Sequence, residues 1–286
     1  MSDTARSREV LDGFRRQYNT PYSTADLTAT VCALCGVEAP SECAGIPIPA
    51  VIDQADKLMD GTGKTEKVLL FCADALGQHQ KNHYTEEFER IEKCAGLAFL
   101  SATVMPSVTP VCYGTIFSGA APCVHGITKY EKPVLEVDTL FDAFARTGKN
   151  VAICAINECS IDKIFRNRKV DYYSFRSDEG SFDCAMDLLK NKDYDLIVCY
   201  MTNYDHTMHK TGTFSPECDI EARKAADRFT AFAKEMDNSW KQFNRALVFV
   251  PDHGGHNADE RHGMHGTDLP EDMLVYHFYR ICEAEK

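Results

Sequence analysis

The stretch Arg245-Ala-Leu-Val-Phe-Val-Pro-Asp-His-Gly-Gly-His256 decides how this chain folds. Its apolar part, residues 246–250, predicts a buried strand, and Asp252-His253 stand where that strand should end. The Gly-Gly turn that follows can bend the chain so that both side chains face one ion. Carboxylate oxygens and imidazole nitrogens suit zinc, with manganese as the second choice. A polar loop with solvated histidines is the competing interpretation of this stretch.

Composition limits the classes of protein to be considered. The chain has 286 residues and is 44% hydrophobic, so it can bury the core of one α/β domain or of two small ones. Lys plus Arg number 31 and Asp plus Glu 43, a formal charge of −12 without any long basic run. We therefore expect no nucleic-acid polymer as a partner. Anionic substrates stay possible, because bound divalent ions reverse the local field.

The termini and cysteines bear on location. Residues 1–8 lack the apolar core of a secretory signal, and no apolar run approaches membrane-spanning length, so we expect no membrane partner. Thirteen cysteines without a signal predict reduced thiols and a cytoplasmic protein. Cys32, Cys35 and Cys43 lack a nearby fourth ligand with suitable spacing, which disfavours a structural zinc site.

Two regions differ in pattern. Residues 1–65 predict a mostly helical N-terminal extension, with helical patterns around 8–18, 25–35 and 49–59; its role, as a cap over the site or as the contact of a homodimer, is left open. In residues 66–286, strands alternate with helices. The predicted strands are 67–72, 96–101, 150–156, 171–175, 194–201, 246–250 and 273–279, and the helices include 111–118, 139–147, 160–166, 181–190 and 219–243. The near-continuous apolar strands predict an α/β fold with a doubly wound, mainly parallel central sheet and helices on both faces. Its site should lie at the carboxyl ends of the strands.

Chemistry-bearing residues follow four strand positions in this prediction. They are Asp74, Thr109, the pair Asp205 and His209, and the group Asp252, His253 and His265. Asp205 and His209 are spaced i, i+4, so on a helix they share one face and could chelate one ion, although such pairs also occur by chance. Separate loops that meet at one sheet edge give the geometry of a catalytic centre.

Six motifs, in order along residues 67–280, resemble those of the alkaline phosphatase superfamily. The closest branches are the type I phosphodiesterase/nucleotide pyrophosphatases and the phosphonoacetate hydrolases. The matching motifs are Phe71-Cys-Ala-Asp74, Pro106-Ser-Val-Thr109-Pro110 with Ser118-Gly119, Val124-His-Gly-Ile127, Tyr204-Asp205 with His209 and Gly212, Pro251-Asp-His-Gly254, and His265-Gly266.

This resemblance implies an alkaline phosphatase-like catalytic domain over 66–286 that binds two divalent metal ions, zinc first and manganese second. It implies one ion held by Asp205, His209 and His265. It implies another ion surrounded by Asp74, Thr109, Asp252 and His253. The neighbouring His206, His256 and His262 lie outside the motifs, and we interpret them as supporting or solvated residues.

Thr109 is the expected nucleophile. A threonine hydroxyl is weakly nucleophilic at neutral pH, and metal coordination is one way to activate it. Pro110 suits the first position of a helix, whose N-terminus offers N–H groups to a phosphoryl oxygen. Ser107 is the nearest rival hydroxyl, and N-capping or turn bonding is its alternative role. The expected reaction is hydrolysis of a small-molecule phosphoric ester through a phospho-threonine intermediate.

The sequence leaves more than one substrate class open. A phosphodiester or nucleotide-type substrate is favoured, and a phosphomonoesterase or phosphonate hydrolase with the same site is the alternative. A protein that binds metal or phosphate without turnover is the alternative outside enzymes. Lys129 and Lys132 are the first candidates to balance the charge of the phosphoryl oxygens, ahead of Arg166 and Arg168.

Overall fold

The sheet and its helices are seen in a computed structural model that describes residues 2–59, 63–259 and 261–285. The strands are β1 (Tyr22–Ser23), β2 (Lys67–Ala73), β3 (Leu97–Ala102), β4 (Val151–Ile156), β5 (Asp171–Phe175), β6 (Leu196–Met201), β7 (Arg245–Phe249), β8 (His256–Asn257), β9 (Gly263–Met264) and β10 (Leu274–Cys282). The helices are α1 (Asp3–Gln17), α2 (Asp26–Cys35), α3 (Pro49–Leu58), α4 (Gln78–His83), α5 (Thr85–Ala95), α6 (Thr109–Ser118), α7 (Pro122–His125), α8 (Leu140–Arg146), α9 (Ser160–Ile164), α10 (Asp178–Asn191), α11 (Asn203–Thr211), α12 (Pro216–Ser239) and α13 (Pro270–Met273).

Eight strands form one sheet in the order β1-β3-β10-β7-β2-β6-β4-β5, and β8 pairs with β9 separately. Strand β10 runs antiparallel to both β3 and β7, whereas the other pairs in the large sheet are parallel. The predicted fold class, a mainly parallel sheet flanked by helices, is confirmed.

The apolar strands explain why the sheet is covered on both faces. Every residue of β2, β6 and β7 is buried. Side chains alternate between the two faces, so Val68 and Leu70 pack in one apolar cluster while Leu69 and Phe71 pack in the other. Helices α2, α3, α6, α8 and α9 supply the first cluster, and α5, α10, α11 and α12 supply the second. A strand buried on both faces must be apolar throughout, which is the pattern in the sequence.

The N-terminal extension packs against the same sheet. Strand β1 pairs with β3, and residues of α1, α2 and α3 belong to the first apolar cluster. Its polar contacts reach the end of α6: the Thr28 hydroxyl donates to the Ile116 carbonyl (2.7 Å), and the Ala44 N–H donates to the Gly119 carbonyl (2.9 Å). Helices α1, α2 and α3 lie in this stretch, and it packs against α6. The boundary at residue 65 stays a prediction.

Three neighbouring strands position the site. In the order β7-β2-β6, each strand ends at the same edge, and Asp252, Asp74 and Asp205 follow those ends. The carboxyl ends of parallel strands therefore bring together residues far apart in the chain. Among the described residues, no helix is long and apolar enough to cross a membrane.

Candidate metal centre

Six carboxylate and imidazole side chains meet at this edge in two clusters. Within each cluster the ligand atoms lie within 4.8 Å of one another. We call them the buried triad (Asp74, Asp252 and His253) and the outer triad (Asp205, His209 and His265). These are the six carboxylate and histidine residues that the sequence predicts as metal ligands, grouped as the resemblance implies. Their role as ligands stays a prediction.

The buried triad has almost no contact with solvent. His253 Nε2 lies 3.4 Å from Asp74 Oδ1 and 3.3 Å from Asp252 Oδ2. Thr109, the first residue of α6, places its Oγ1 3.5 Å from the same nitrogen. The hydroxyl expected to be the nucleophile thus lies at the edge of this triad.

The outer triad is centred on Asp205. The Nε2 atoms of His209 and His265 each lie 3.3 Å from Asp205 Oδ1, and 3.1 Å from each other. Asp205 and His209 are one turn apart on α11, as their i, i+4 spacing predicts. Each imidazole Nδ1 bonds a backbone carbonyl, of Gly263 for His209 (2.9 Å) and of Ser107 for His265 (2.8 Å). Such bonds place the proton on Nδ1 and leave Nε2 free to bind a metal.

The two triads are adjacent. The rings of His253 and His265 stack with centroids 3.9 Å apart and planes 22° apart. His253 of the buried triad and His265 of the outer triad are therefore in direct contact. Two ions could therefore lie close together at this edge of the sheet.

Three buried carboxylate oxygens lack a hydrogen-bond partner within the described part of the chain. They are Asp74 Oδ1, Asp252 Oδ2 and Asp205 Oδ1. With the proton on Nδ1, a neutral histidine cannot donate from Nε2, so the nearby imidazoles satisfy these oxygens only when protonated. A buried charge without a partner is costly. A divalent cation in each triad would remove that cost, and the oxygen and nitrogen donors suit zinc or manganese.

The same crowding shifts the pKa of the triad residues. Burial raises the pKa of the Asp252 carboxyl to about 8, and burial with the charge of Asp252 raises the pKa of Asp74 well above its usual value. Burial also lowers the pKa of His253 well below its usual value. At Asp205 burial acts upward, but the imidazoles of His209 and His265 beside its Oδ1 outweigh burial and lower the pKa. Without metal, the site thus retains protons that bound ions would displace.

These shifts predict that metal-free protein loses stability as the pH rises from 6.5 to 8. In this interval folded Asp252, with its pKa of about 8, keeps a proton that the unfolded chain has lost. Stability then falls with pH, by about 1.4 kcal/mol per pH unit for one such proton. His209 acts in the same direction, because the neighbouring Asp205 carboxylate raises its pKa to about 9. The lowered pKa of His253 acts oppositely, but only below about pH 6.5.

Urea unfolding of chelator-treated protein at pH 6.5, 7.2 and 8.0 measures this slope. Zinc-loaded protein is the control, and its stability should not fall in this interval, because ions bind the deprotonated ligands. Metal-free stability that stays level or rises with pH would contradict the assignment of these protons.

The lysines predicted to bind substrate have other contacts. Lys129 is exposed and lies 3.3 Å from Glu131. Lys132 donates to the Glu158 carbonyl (3.1 Å), and its ammonium lies 5.7 Å from the ring centroid of Tyr130. Both lysines follow α7, and their contact with substrate stays a prediction.

The remaining candidates also have partners outside the triads. Arg166 pairs with Asp162, and Arg168 pairs with Asp142. His206 is exposed, His256 bonds Asp272 (2.7 Å) and His262 bonds Asp259 (3.0 Å). The geometry agrees with supporting or solvated roles for these three histidines.

Three further residues support the site, and two of them, Asp272 and Tyr200, have no local signal in the sequence. Ser107 accepts from His265 through its carbonyl and donates its hydroxyl to the Thr267 carbonyl (2.8 Å), which disfavours Ser107 as the nucleophile. Buried Asp272 accepts from the N–H and hydroxyl of Thr267 (3.0 and 2.7 Å), and its carbonyl accepts from the Gly254 N–H (2.9 Å). Through these hydrogen bonds, Asp272 links the loop that carries His253 to the loop that carries His265. The third residue is Tyr200, which donates to Asp74 Oδ2.

Solved structures share this fold at low sequence identity. Murine ectonucleotide pyrophosphatase/phosphodiesterase 5 matches with a TM-score of 0.56 at 18% identity, covering 68% of this chain and 58% of that protein. Its inactive threonine-to-alanine variant, in complex with AMP, has the same TM-score and identity. Phosphonoacetate hydrolase from Sinorhizobium meliloti 1021, in complex with phosphonoformate, matches with a TM-score of 0.52 at 20% identity, covering 68% of this chain and 59% of that one.

The C-terminal periplasmic domain of EptC from Escherichia coli, in complex with Zn, matches with a TM-score of 0.53 at 13% identity. There the match covers 78% of this chain and 74% of that domain. These proteins belong to the alkaline phosphatase superfamily, and at these identities they confirm the resemblance at the level of the fold. The chain spans less than two thirds of the length of the first two proteins. No protein-family model matches it, and no curated protein does.

Proposed function

We propose that this chain, whose fold is that of the alkaline phosphatase superfamily, is a two-metal hydrolase of phosphoric esters. The observation that carries the proposal is the pair of adjacent triads with three unpartnered carboxylate oxygens. The position of Thr109 beside the buried triad supports a phospho-threonine intermediate. The fold relatives, which include a nucleotide pyrophosphatase/phosphodiesterase and a phosphonate hydrolase, support phosphoryl chemistry at superfamily level.

Each triad would hold one ion, with Thr109 as a further donor beside the buried triad. When bound, the two ions would supply the positive charge that stabilises the attacking and leaving oxygens of an in-line displacement. Zinc is favoured by the donor set, and manganese is the second choice. The complex of the EptC domain with Zn supports the same order.

The chain's own contribution begins at Thr109. Its hydroxyl loses a proton to solvent and attacks phosphorus, forming the Oγ–P bond while the bond to the leaving oxygen breaks. The N-terminus of α6 directs its positive dipole end at the phosphoryl group, since Thr109 is the first helical residue. Water then attacks phosphorus from the side opposite Thr109 Oγ1 and loses a proton to solvent. The Oγ–P bond breaks, and Oγ1 regains a proton from solvent, which restores the threonine.

We favour a phosphodiester or nucleotide-type compound as the substrate. The support comes from the murine relative, of which an inactive threonine-to-alanine variant was solved with AMP. A phosphomonoesterase or phosphonate hydrolase is the second candidate, which the phosphonoacetate hydrolase favours.

We also propose a cytoplasmic setting, because the thirteen cysteines are free thiols, as a reducing compartment maintains them.

A substrate panel tests this proposal. Zinc- or manganese-loaded protein is assayed with an aryl phosphodiester, a nucleotide aryl ester, an aryl monoester, phosphonoacetate and an aryl sulfate. We expect the diester or nucleotide ester to be turned over fastest and the chelator-treated protein to be inactive. Faster turnover of the monoester or phosphonate would favour the second candidate. If fully metal-loaded protein turned over none of the phosphorus compounds, it would be a metal- or phosphate-binding protein instead.

A further inference from the structure

Two fully buried tyrosines lie directly behind the buried triad. Tyr200 belongs to β6 and is 1% exposed, and Tyr113 belongs to α6 and is 0% exposed. Their rings meet edge to face, with centroids 5.3 Å apart and an interplanar angle of 82°. The Tyr200 hydroxyl donates to Asp74 Oδ2, and the Tyr113 hydroxyl donates to the Val250 carbonyl (3.2 Å). The pair thus contacts the ends of two strands that carry triad residues.

The Tyr200 contact makes the two oxygens of Asp74 unequal. Oδ2 accepts the phenol hydrogen bond, whereas Oδ1 has no hydrogen-bond partner and faces His253 Nε2 at 3.4 Å. Holding one oxygen fixes the plane of the carboxylate, and so it also fixes the direction in which the other oxygen points. Residues that orient a metal ligand in this way commonly change metal affinity by about 10- to 100-fold when they are removed.

Tyr113 connects this contact to the proposed nucleophile. It lies one turn after Thr109 on α6, so both side chains share one face of the helix. Its ring packs against Tyr200 on one side and against Phe117 on the other, with centroids 5.8 Å apart. The helix that presents Thr109 and the side chain that orients Asp74 are therefore in direct contact.

We propose that Tyr200 is a positioning residue that directs Asp74 Oδ1 at the ion of the buried triad, with Tyr113 bracing it from α6. This inference rests on the proposed two-metal function. It adds a specific role for a residue outside both triads. A buried phenol also needs a partner for packing reasons alone, so the test must separate orientation of a metal ligand from general stability.

The variant Tyr200→Phe removes the hydroxyl and keeps the ring. Its zinc affinity, measured by competition with a chromogenic chelator, should fall about 10- to 100-fold for one of two ions. The visible absorption of the cobalt-substituted protein should change, because the orientation of Asp74 affects the coordination of that ion. Turnover of the best substrate should recover when zinc is raised to saturate the weakened site.

Tyr279→Phe is the matched control. Tyr279 is a fully buried tyrosine of β10 in the same sheet, and its hydroxyl has no hydrogen-bond partner within the described residues. The control should bind zinc as tightly as wild type and give the wild-type cobalt spectrum.

The outcomes separate this inference from the proposed function. Wild-type zinc affinity and an unchanged cobalt spectrum in Tyr200→Phe would overturn the positioning role, even if the wild-type protein binds two ions and turns over substrate. Equal weakening in both variants would also overturn it, because the effect would then be one of general stability. Failure of the wild-type protein to bind zinc, in contrast, would overturn the two-metal function itself.

Discussion

Thr109→Ala should lower kcat on the best substrate by about 10⁴-fold or more, the scale seen when a covalent nucleophile is removed. Thr109 is the first residue of α6, and its Oγ1 lies 3.5 Å from His253 Nε2, beside the buried triad. Alanine is compatible with this helical position, and both triads keep all their carboxylates and imidazoles. The zinc content should therefore stay near that of the wild-type protein.

Three matched variants separate the nucleophile from its surroundings. Thr109→Ser retains a hydroxyl and should keep a measurable part of the activity. Ser107→Ala removes the rival hydroxyl, and Cys112→Ala removes the buried thiol of the next turn; neither should affect kcat as strongly as Thr109→Ala. Full activity in metal-loaded Thr109→Ala would reject the phospho-threonine mechanism.

Asp205→Asn should lower the bound zinc from about two ions per chain to about one and lower kcat by about 10³-fold, since a catalytic ion contributes several kcal/mol of transition-state stabilisation. Asp205 is the centre of the outer triad, with its Oδ1 3.3 Å from the Nε2 atoms of His209 and His265. The amide keeps the size of the side chain but loses the charge that the ion requires.

Metal analysis after gentle purification in zinc-supplemented buffer measures the first effect, and the substrate assay measures the second. His206→Ala is the control, because His206 is the next residue of α11 but is exposed to solvent and belongs to neither triad. That variant should bind two ions and keep its activity. Two ions and unchanged kcat in Asp205→Asn would contradict the role of the outer triad.

The sequence predicted the sheet well because β2, β6 and β7 are buried on both faces, and only apolar residues satisfy that environment. The two-residue strand β1, Tyr22–Ser23, was not predicted, because two residues are too few to show a periodic pattern. The place of residues 1–65 behind α6 depends on contacts such as that of Thr28 with Ile116, which no local pattern reveals.

For the site, the triad residues could be located in advance because each follows a strand end or lies in a motif of the resembling family. Tyr200 and Asp272 could not, because each acts on a residue brought near by folding rather than by sequence. The prediction of Lys129 and Lys132 as substrate-binding residues depends on their position after the nucleophile helix. The sequence alone does not show that Lys129 pairs with Glu131 or that Lys132 bonds the Glu158 carbonyl.

Anomalous diffraction at the zinc edge, from crystals of the wild-type protein grown with zinc, tests the two-metal site most directly. We predict two peaks about 4 Å apart, the spacing typical of two-metal centres. One peak should lie among Asp74, Asp252 and His253, and the other among Asp205, His209 and His265. The absence of zinc at both triads, or zinc bound only elsewhere on the protein, would contradict the proposed two-metal site.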